Sequence, residues 1–369
     1  MDRDEIIITY GENIRDMVFS VLNAAKIEKD ISHNAVVALK PNLVVAKPSA
    51  SGATTSPDIV GAIIEYLHKR DIPNIIIIEG SWVRDSTARA YDACGYNDIS
   101  VKYNVPLYDL KEDSYSVRKA GGLDLKICNL ALNCDYLINI PVLKGHCQTL
   151  LTCALKNMKG CIPDSEKRRY HTMGLHKPIA ALNAAKCADF VLVDGMCGDL
   201  DFEEGGNPVR MNRIFAAKDS VLCDSYAAAL MGYSPQDIDY IAIAEKLGVG
   251  SSDLADAKII ELDHDKALTA ATSSRKAASL ARYCNEKMAC SACYGSLIHA
   301  LARLESKGAL RNFEKKINIG QGFKGKCVEG IGIGNCADGC TKNVNGCPPT
   351  ALRIYNFLCE EIKGYPIVY

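Results

Sequence analysis

Five cysteines in the last quarter of the chain have a spacing that suits a metal site. Cys290 and Cys293 form a Cys-x-x-Cys pair in "ACSACYG", and Cys336, Cys340 and Cys347 follow in "GNCADGCTKNVNGCPP". A Cys-x-x-Cys pair lets two thiolates face one metal ion or cluster. Proline after the last cysteine stiffens the loop, as in the Cys-Pro ending of ferredoxin motifs. The pattern predicts a 4Fe–4S cluster, because four thiolates are its ligand set.

Zinc, disulfide bonds and unligated core thiols are the three alternatives to a cluster at these cysteines. A structural zinc site stays the alternative, although zinc sites more often show two short Cys-x-x-Cys pairs. Disulfides fit poorly, because the sequence shows no export signal and a reducing cytosol keeps thiols free. Unligated core cysteines also fit poorly, because Gly, Asn and Asp surround these positions. The total of 17 cysteines suggests an anaerobic host, where free thiols are more easily tolerated.

The second half of the motif also resembles a known cluster-binding segment. "GNC" followed by "GCPP" is similar to the small subunit of nickel–iron hydrogenases and the matching subunit of respiratory NADH dehydrogenase. There the cysteine before the two prolines is a ligand and a helix starts just after it; that family uses a different first pair. With this resemblance, we expect Cys290, Cys293, Cys336 and Cys347 to hold the cluster, and Cys340 to be the spare.

A second group of reactive side chains follows short apolar runs in the first two thirds of the chain. In open α/β sheets the ligand crevice lies beyond the carboxyl ends of the strands, so polar residues there should converge. The alternative is that strands simply end at solvent. Lysine and asparagine suit a carboxylate or phosphate, and lysine beside histidine and aspartate suits proton transfer. We expect Lys144, His146 and Asp194 to be catalytic, and Lys40, Asn42, Lys156 and Asn157 to bind an anionic small molecule.

The elements that must position these groups alternate between strand and helix. The runs "EIIITY", "AVVALKPN", "NIIIIEG", "DYLINIP" and "DFVLVDG" are typical of strands buried on both faces, as in a parallel sheet. One helix begins at Pro57 with Ser56 as its cap, and "QTLLTCALKNMKG" predicts another that Gly160 ends. We therefore expect an α/β fold with a mostly parallel open sheet flanked by helices.

The character of the sequence changes near residue 265. After a last strand, "AKIIEL", come two helical stretches, "TSSRKAASLARYCNEK" and "SLIHALARLESKG", and then Gly-rich segments with the clustered cysteines. We expect two domains. Residues 1–265 would form the α/β domain with its polar crevice, and residues 266–369 a small α+β iron–sulfur domain.

Six segments of the α/β region resemble, in order, the domain of unknown function 362 family. They are "VALKPNLV", "TTSPDIVGAIIEYL", "CDYLINIPVLKGH", "LTCALKNMKG", "LVDGM" and "AAKDSVLCDSYAAALMG". The resemblance covers about residues 35–250 and implies the α/β fold, but no reaction. Members commonly carry iron–sulfur motifs, often with a ferredoxin insert that is missing here. The family's recurrent polar positions fall on Lys40, Asn42, Lys144, His146, Lys156, Asn157, Asp194, Asp219 and Asp224, with Asp219 also a candidate helix cap.

Composition restricts the partners of this chain. With 43 Lys+Arg and 44 Asp+Glu, the formal net charge of −1 gives no bulk attraction to nucleic acid or an anionic membrane, and we expect neither partner. We expect a cytoplasmic iron–sulfur oxidoreductase that acts on an anionic small molecule. Two alternatives stay open: an electron-transfer or redox-sensing protein, and a non-redox enzyme with a structural cluster or zinc. A redox partner protein and a homodimer also stay open.

Overall fold

The computed structural model describes residues 1–83, 85–263, 276–311, 313 and 315–362. Contacts divide the chain into two compact units. The first unit comprises residues 1–145, 151–167 and 175–273, and the second comprises residues 146–150, 168–174 and 274–369. The domain boundary expected at residue 265 lies outside the described residues.

The strands are short and the helices are mostly of two to three turns. The strands are β1 (Glu5–Tyr10), β2 (Val37–Pro41), β3 (Ile75–Glu79), β4 (Leu107–Asp109), β5 (Tyr115–Ala120), β6 (Leu123–Cys128), β7 (Tyr136–Ile140), β8 (Lys144–His146), β9 (Leu150–Thr152), β10 (Phe190–Asp199), β11 (Pro208–Ala217), β12 (Lys258–Leu262), β13 (Cys284–Glu286), β14 (Ile317–Ile319), β15 (Val328–Ile333) and β16 (Cys340–Val344). The helices are α1 (Ile14–Ala25), α2 (Pro57–His68), α3 (Thr87–Ala93), α4 (Tyr96–Tyr103), α5 (Asn129–Asn133), α6 (Ala154–Asn157), α7 (Asp164–Met173), α8 (His176–Ala185), α9 (Ser220–Leu230), α10 (Asp239–Lys246), α11 (Lys276–Leu280), α12 (Ser291–Ser306) and α13 (Ala351–Ile362).

The first unit is built on an eight-stranded sheet in the order β12-β1-β11-β10-β7-β2-β3-β4. Strand β11 runs antiparallel to both of its neighbours, β1 and β10. The remaining pairs are parallel. The expected α/β fold with a mostly parallel open sheet is therefore confirmed, with one reversed strand inside it.

Burial on both faces explains why the apolar runs form strands here. All five residues of β2 are buried, as a parallel sheet covered by helices requires. The inward stripe of α2, consisting of Ile59, Ile63, Tyr66 and Leu67, is fully buried in one core with Leu39 of β2. Burying such a side chain completely contributes about 1.5–3 kcal/mol. Helix α2 is thus held to the sheet that carries the polar strand ends.

Two helices predicted from the sequence are only partly helical in the structure. In the "QTLLTCALKNMKG" segment, Leu150–Thr152 is strand β9, and the helix is the short Ala154–Asn157 followed by a 3₁₀ turn at Met158–Cys161. In "TSSRKAASLARYCNEK", the chain leaves the helix and Cys284–Glu286 pairs in parallel with β14. Tertiary pairing with distant strands overrides the local helical pattern in the second case.

The second unit contains a four-stranded sheet in the order β13-β14-β15-β16. All three of its strand pairs are parallel. Helices α12 and α13 pack against each other, burying Leu297 and Leu301 of one and Ile354 and Leu358 of the other. The helix expected after the last cysteine is thereby confirmed as α13. Across the described part of the chain, no helix combines the length and apolar character that crossing a membrane requires.

Candidate functional site

The carboxyl ends of three adjacent parallel strands bring charged side chains into the interior of the first unit. Lys40 is the penultimate residue of β2, β3 ends in Glu79, and β7 contributes Asn139, which lies opposite Lys40 in the strand register. All three side chains are buried. We call the set formed by Lys40, Asn42, Glu79, Asn139, Lys144, Lys156, Asn157, Lys159 and Glu203 the lysine network.

Lys40 and Glu79 form a buried ion pair at the centre of the lysine network. Lys40 Nζ lies 2.9 Å from Glu79 Oε2 and also donates to the carbonyl of Pro41 at 2.7 Å. Glu79 accepts two backbone N–H bonds, from Leu43 at 3.0 Å and from Gly80 at 2.7 Å. A buried ion pair is stable only when further hydrogen bonds satisfy its remaining donors and acceptors, as they do here.

Three asparagines connect this ion pair to a second lysine. Asn157 Oδ1 accepts from Asn42 Nδ2 at 2.8 Å, and Asn157 Nδ2 donates to Asn139 Oδ1 at 2.7 Å. On its other side, Asn42 Oδ1 accepts from Lys144 Nζ at 3.0 Å. The structure therefore brings together four residues expected from the sequence: Lys40, Asn42, Lys144 and Asn157.

Lys144 and Lys156 meet at the loop that carries Glu203. Lys144 Nζ donates to the carbonyls of Ala53 at 2.6 Å and Glu203 at 3.0 Å. Burial lowers the pKa of Lys144 to about 8. Lys156 Nζ donates to Thr152 Oγ1 at 3.1 Å and forms an ion pair with the Glu203 carboxylate. Lys156 thus joins the lysine network through Glu203.

A distant aspartate sets the start of the helix that carries Lys156 and Asn157. Asp224 of α9 accepts the N–H groups of Ala154 at 2.6 Å and Leu155 at 3.1 Å. It satisfies two of the backbone donors that a helix start leaves open. Burial raises the pKa of Asp224 to about 7. This cap explains why α6 begins at Ala154 rather than earlier in the predicted helix. Asp219, by contrast, caps its own helix α9, as expected.

The backbone at Gly160 lies directly against the central ion pair. A Cβ atom at this position would lie 2.1 Å from Glu79 Oε1 and 2.6 Å from Lys40 Nζ. Real Cβ atoms do not approach other atoms this closely, so only glycine fits without moving the ion pair. The segment after α6 is therefore fixed in position against the lysine network.

Asp194 does not join the hydrogen bonds of the lysine network. Its carboxylate accepts the N–H groups of Ser56 at 2.8 Å and Met196 at 3.0 Å, and burial raises its pKa to about 6. It lines a separate cavity of about 630 Å³ together with Asp58 and Arg210. The side chain of Ser56, expected to cap α2, makes no capping hydrogen bond.

His146 belongs to the second unit by its packing. Its Nδ1 accepts the backbone N–H groups of Gln148 at 3.1 Å and Thr149 at 3.0 Å. Because Nδ1 accepts both hydrogen bonds, the neutral ring carries its proton on Nε2. Within the same unit, Gln148 Nε2 donates to the carbonyl of Ala289 at 2.9 Å, next to Cys290.

Four cysteines follow the carboxyl ends of strands in the sheet of the second unit. We call Cys290, Cys293, Cys336 and Cys347 the thiol cluster. Cys290 and Cys293 lie after β13 at the start of α12, Cys336 follows β15, and Cys347 follows β16. Because these strands are parallel neighbours, their carboxyl ends share one edge of the sheet.

Electrostatic coupling shows that these thiols lie close to one another. The pKa of Cys293 is raised by its hydrogen bond with Cys290, then by burial, and then by the charges of Cys290, Cys347 and Cys336. The pKa of Cys336 is raised by burial and then by Cys347 and Cys290. Like charges at short range disfavour ionisation, so a bound cation would favour the thiolate forms of Cys293 and Cys336. Zinc and a 4Fe–4S cluster both take such a donor set.

Backbone bonds fasten the two loops that carry Cys336 and Cys347. Asn335 N–H donates to the carbonyl of Gly346 at 2.9 Å, and Gly346 N–H donates to Asn335 Oδ1 at 2.7 Å. Gly334 has φ +85°, and a Cβ there would lie 3.3 Å from Cys293 Sγ. Glycine at 334 therefore leaves room beside the thiol cluster.

Cys340 has a different environment from the four cysteines of the thiol cluster. It is buried with Phe323 and Ala337 in a small hydrophobic core. Its sulfur accepts a weak hydrogen bond from Asn318 Nδ2 at 3.7 Å. The thiol cluster does not contribute to the pKa of Cys340, which burial raises. That Cys340 is the spare cysteine stays a prediction.

A third group of potential ligands lies inside the first unit. Among the described residues, Cys153, Cys223 and Asp224 are the one set of three whose ligand atoms approach within 4.8 Å of each other. Both oxygens of Asp224 already accept backbone N–H bonds, and all three side chains are buried. We interpret this group as part of the core rather than as a metal site.

From the sequence, Glu79 and Glu203 are polar residues that end or follow predicted strands, but the sequence assigns no role to them or to Asn139. Glu79 ends the apolar run "NIIIIEG", and Asn139 is the polar residue inside "DYLINIP". A polar residue in an otherwise buried strand is a usable signal, because burying it without partners has a cost. Glu203 lies in a loop, and its pairing with Lys156 has no sequence signal.

Comparison with known proteins adds three findings. Residues 37–229 match the family described as "Domain of unknown function (DUF362)". A thylakoid-associated protein of Synechocystis sp. is 23% identical over 220 residues, which cover 58% of this chain and 68% of that protein. The solved lactate racemase apoprotein from Thermoanaerobacterium thermosaccharolyticum aligns with a TM-score of 0.38 at 13% identity, over 59% of this chain and 55% of that one. The family match includes the strands of the lysine network and excludes the thiol cluster.

Proposed function

We propose that this chain, which belongs to the domain of unknown function (DUF362) family, is a cytoplasmic iron–sulfur oxidoreductase for an anionic small molecule. One 4Fe–4S cluster would be held by Cys290, Cys293, Cys336 and Cys347. The observation that carries the proposal is that these four cysteines follow strands of one parallel sheet, with Cys290, Cys347 and Cys336 all close enough to raise the pKa of Cys293. Such a cluster supplies or accepts electrons one at a time.

Charge and donor type support a cluster at this place. The hydrogen bond with Cys290 raises the pKa of Cys293, and burial raises that of Cys336, so a cationic centre that favours their thiolate forms would stabilise the folded arrangement. The donors are all sulfur, which soft metal centres prefer. Small residues precede two of these cysteines in the chain: Gly334 lies two residues before Cys336, and Gly346 directly precedes Cys347. Zinc is the competing occupant, since it also takes four thiolates.

Excess positive charge supports an anionic ligand at the lysine network. Lys40 and Lys156 form ion pairs with Glu79 and Glu203. Lys144 and Lys159 have no carboxylate within ion-pair distance among the described residues. Burial disfavours the charged form of both lysines. It lowers the pKa of Lys144 to about 8 and that of Lys159 to about 7. A bound carboxylate or phosphate would stabilise their charged forms.

Metal analysis and spectroscopy of anaerobically purified protein test the cluster. We expect a brown protein with about four iron and four sulfide per chain, whose visible absorption bleaches with dithionite. A colourless protein with one zinc per chain would overturn the oxidoreductase proposal.

A redox titration tests the anionic substrate separately. We expect saturating phosphate or a small carboxylate to shift the reduction potential of the cluster, because binding and reduction are linked when the ligand prefers one oxidation state. An intact cluster with an unchanged potential and no measurable anion binding would contradict the substrate half of the proposal. That result would favour an electron-transfer protein.

A further inference from the structure

The cavity that Asp194 lines is separate from the lysine network, and we call it the Asp194 cavity. Its volume is about 630 Å³, which lies within the range of roughly 300–1,000 Å³ that is typical of small-molecule pockets. The starts of α1 and α2, the strand pair β10–β11 and the 3₁₀ turn Ser49–Ser51 contribute its lining residues. All of them belong to the first unit, so this unit forms the cavity by itself.

Asp194 holds two walls of the cavity in place. One carboxylate oxygen accepts the N–H of Ser56 at the start of α2 at 2.8 Å, and the other accepts the N–H of Met196 in β10 at 3.0 Å. The register of β10 with β11 shifts between Gly195 and Cys197, so this part of the strand is irregular. Asp194 itself is only 1% exposed. We therefore interpret Asp194 as a positioning residue of the cavity.

Ser56 contributes a hydroxyl group that has no partner in the protein. The residue lines the cavity and is 6% exposed. Its hydroxyl neither caps α2 nor bonds to any other described residue, and Oγ is not among the completely covered polar atoms. A largely buried hydroxyl without a hydrogen bond has a cost. A ligand in the cavity would supply the missing partner.

Arg210 is the one positively charged residue among the described residues that line the cavity. It lies on β11 opposite Cys197 of β10 in the strand register. Burial raises the pKa of the Cys197 thiol, Asp194 raises it further, and Arg210 lowers it, so both charges lie near this thiol. Arg210 forms no ion pair or hydrogen bond with any described residue. Its guanidinium group is therefore available to bind a carboxylate through two parallel hydrogen bonds.

Two further carboxylates, those of Glu12 and Asp58, line the same cavity. Neither forms an ion pair with a described residue. The dipole of α2 alone would stabilise Asp58 in its first turn, so this residue by itself does not indicate a ligand. The oxygens of Glu12, Asp58 and Asp194 do not come within 4.8 Å of one another, as a metal site would require. With three carboxyl groups and one guanidinium group, the cavity also disfavours a purely anionic ligand.

We propose that the Asp194 cavity binds a small zwitterion, a molecule with one ammonium group and one carboxylate. Arg210 binds the carboxylate, Asp58 and Glu12 bind the ammonium group, and the Ser56 hydroxyl donates to the carboxylate. Amino acids and longer amino-alkanoates belong to this class. The inference goes beyond the proposed function, because it depends neither on an anion at the lysine network nor on the occupant of the thiol cluster.

Ligand-observed NMR titrations with glycine, 4-aminobutanoate and 6-aminohexanoate test this assignment. These probes differ in the distance between their two charges, and at least one should bind. The matched alkanoate and alkylamine each carry one of the two charges and should bind to the cavity at least tenfold more weakly. No measurable binding by any of the three zwitterions would overturn the proposal.

The variant Arg210→Gln assigns the binding to the cavity. It should weaken the bound zwitterion at least tenfold. Arg118→Gln is the matched control and should leave the affinity unchanged, because Arg118 is an exposed residue of β5 outside the cavity. Equal affinity of Arg210→Gln and the unmodified protein would contradict the inference. An alkanoate that binds as tightly as the zwitterion and is weakened equally by Arg210→Gln would also contradict it, since the cavity would then be a plain anion site.

A second variant, Asp58→Asn, tests the ammonium end independently. It should weaken the zwitterion but not the matched alkanoate, and equal weakening of both would overturn the assignment of Asp58. Arg210 and Asp58 are both exposed, and thermal unfolding of each variant confirms that it is folded. Binding of an alkanoate at the lysine network would not respond to Arg210→Gln, which keeps this test apart from that of the proposed function.

Discussion

The lysine network and the thiol cluster occupy equivalent places in two different sheets, yet they differ in how their groups are satisfied. Each lies at the carboxyl ends of parallel strands. In the lysine network, charged and amide side chains of the same chain form ion pairs and hydrogen bonds with one another, as Lys40 and Glu79 do at 2.9 Å. In the thiol cluster, the nearest ionisable neighbours of a thiol are other thiols.

This difference separates a site completed by folding from a site completed by a cofactor. Charges that are already paired contribute to the free energy of folding without any ligand. Thiols that repel one another when ionised contribute only after a cation binds, since metal binding and folding are coupled in such sites. We therefore expect changes in the lysine network to alter stability first, and changes in the thiol cluster to alter metal content first.

The largest effect is expected from removing one thiol of the cluster. Cys347→Ser should lose most of the iron, because a serine hydroxyl is a poor ligand compared with a thiolate. Iron and sulfide analysis after anaerobic purification gives the measurement. Cys340→Ser is the matched control and should keep its iron, since Cys340 is buried with Phe323 and Ala337. Full iron in Cys347→Ser, or loss of iron in Cys340→Ser, would show that the ligand set is wrong.

The next effect is expected from breaking the buried ion pair. Lys40→Met leaves Glu79 buried without its cation, and we expect the free energy of unfolding to fall by about 3–5 kcal/mol. Chemical denaturation measures it. Lys258→Met removes an ion pair between exposed side chains, Lys258 and Asp4, and should cause no measurable loss. Similar stabilities of both variants would mean that the lysine network is not held by its internal charges.

The smallest effect is expected from two glycine substitutions at positive φ. Gly334 (φ +85°) and Gly325 (φ +72°) both have positive φ, where an alanine costs about 1–3 kcal/mol. Only at Gly334 would the added Cβ lie near Cys293 Sγ, at 3.3 Å; at Gly325 it meets no atom within 4 Å. Gly334→Ala alone should therefore change the visible spectrum of the bound cluster. Identical spectra for both variants would argue against a cluster that contacts Cys293.

The sheet was predictable because its strands are continuous apolar runs. "AVVALKPN" and "DYLINIP" leave no helical alternative of sufficient length, and the polar residues at or after their ends identified Lys40, Asn42 and Lys144. Reversal of β11 had no local signal, since pairing direction depends on partners elsewhere in the chain. The start of α6 was predicted too early for a similar reason, because it is fixed by Asp224. Asp194 shows the limit of the strand-end rule: its carboxylate bonds to the backbone at the start of α2.

Close contact at Gly160 has a consequence for how this protein would respond to random mutation. No side chain larger than hydrogen can occupy position 160 without displacing Lys40 or Glu79. In a saturation screen, residue 160 would therefore be as intolerant as an active-site residue, although it contributes no functional group. Intolerance at this glycine would report the spacing of the two side chains beneath it rather than any chemistry of its own.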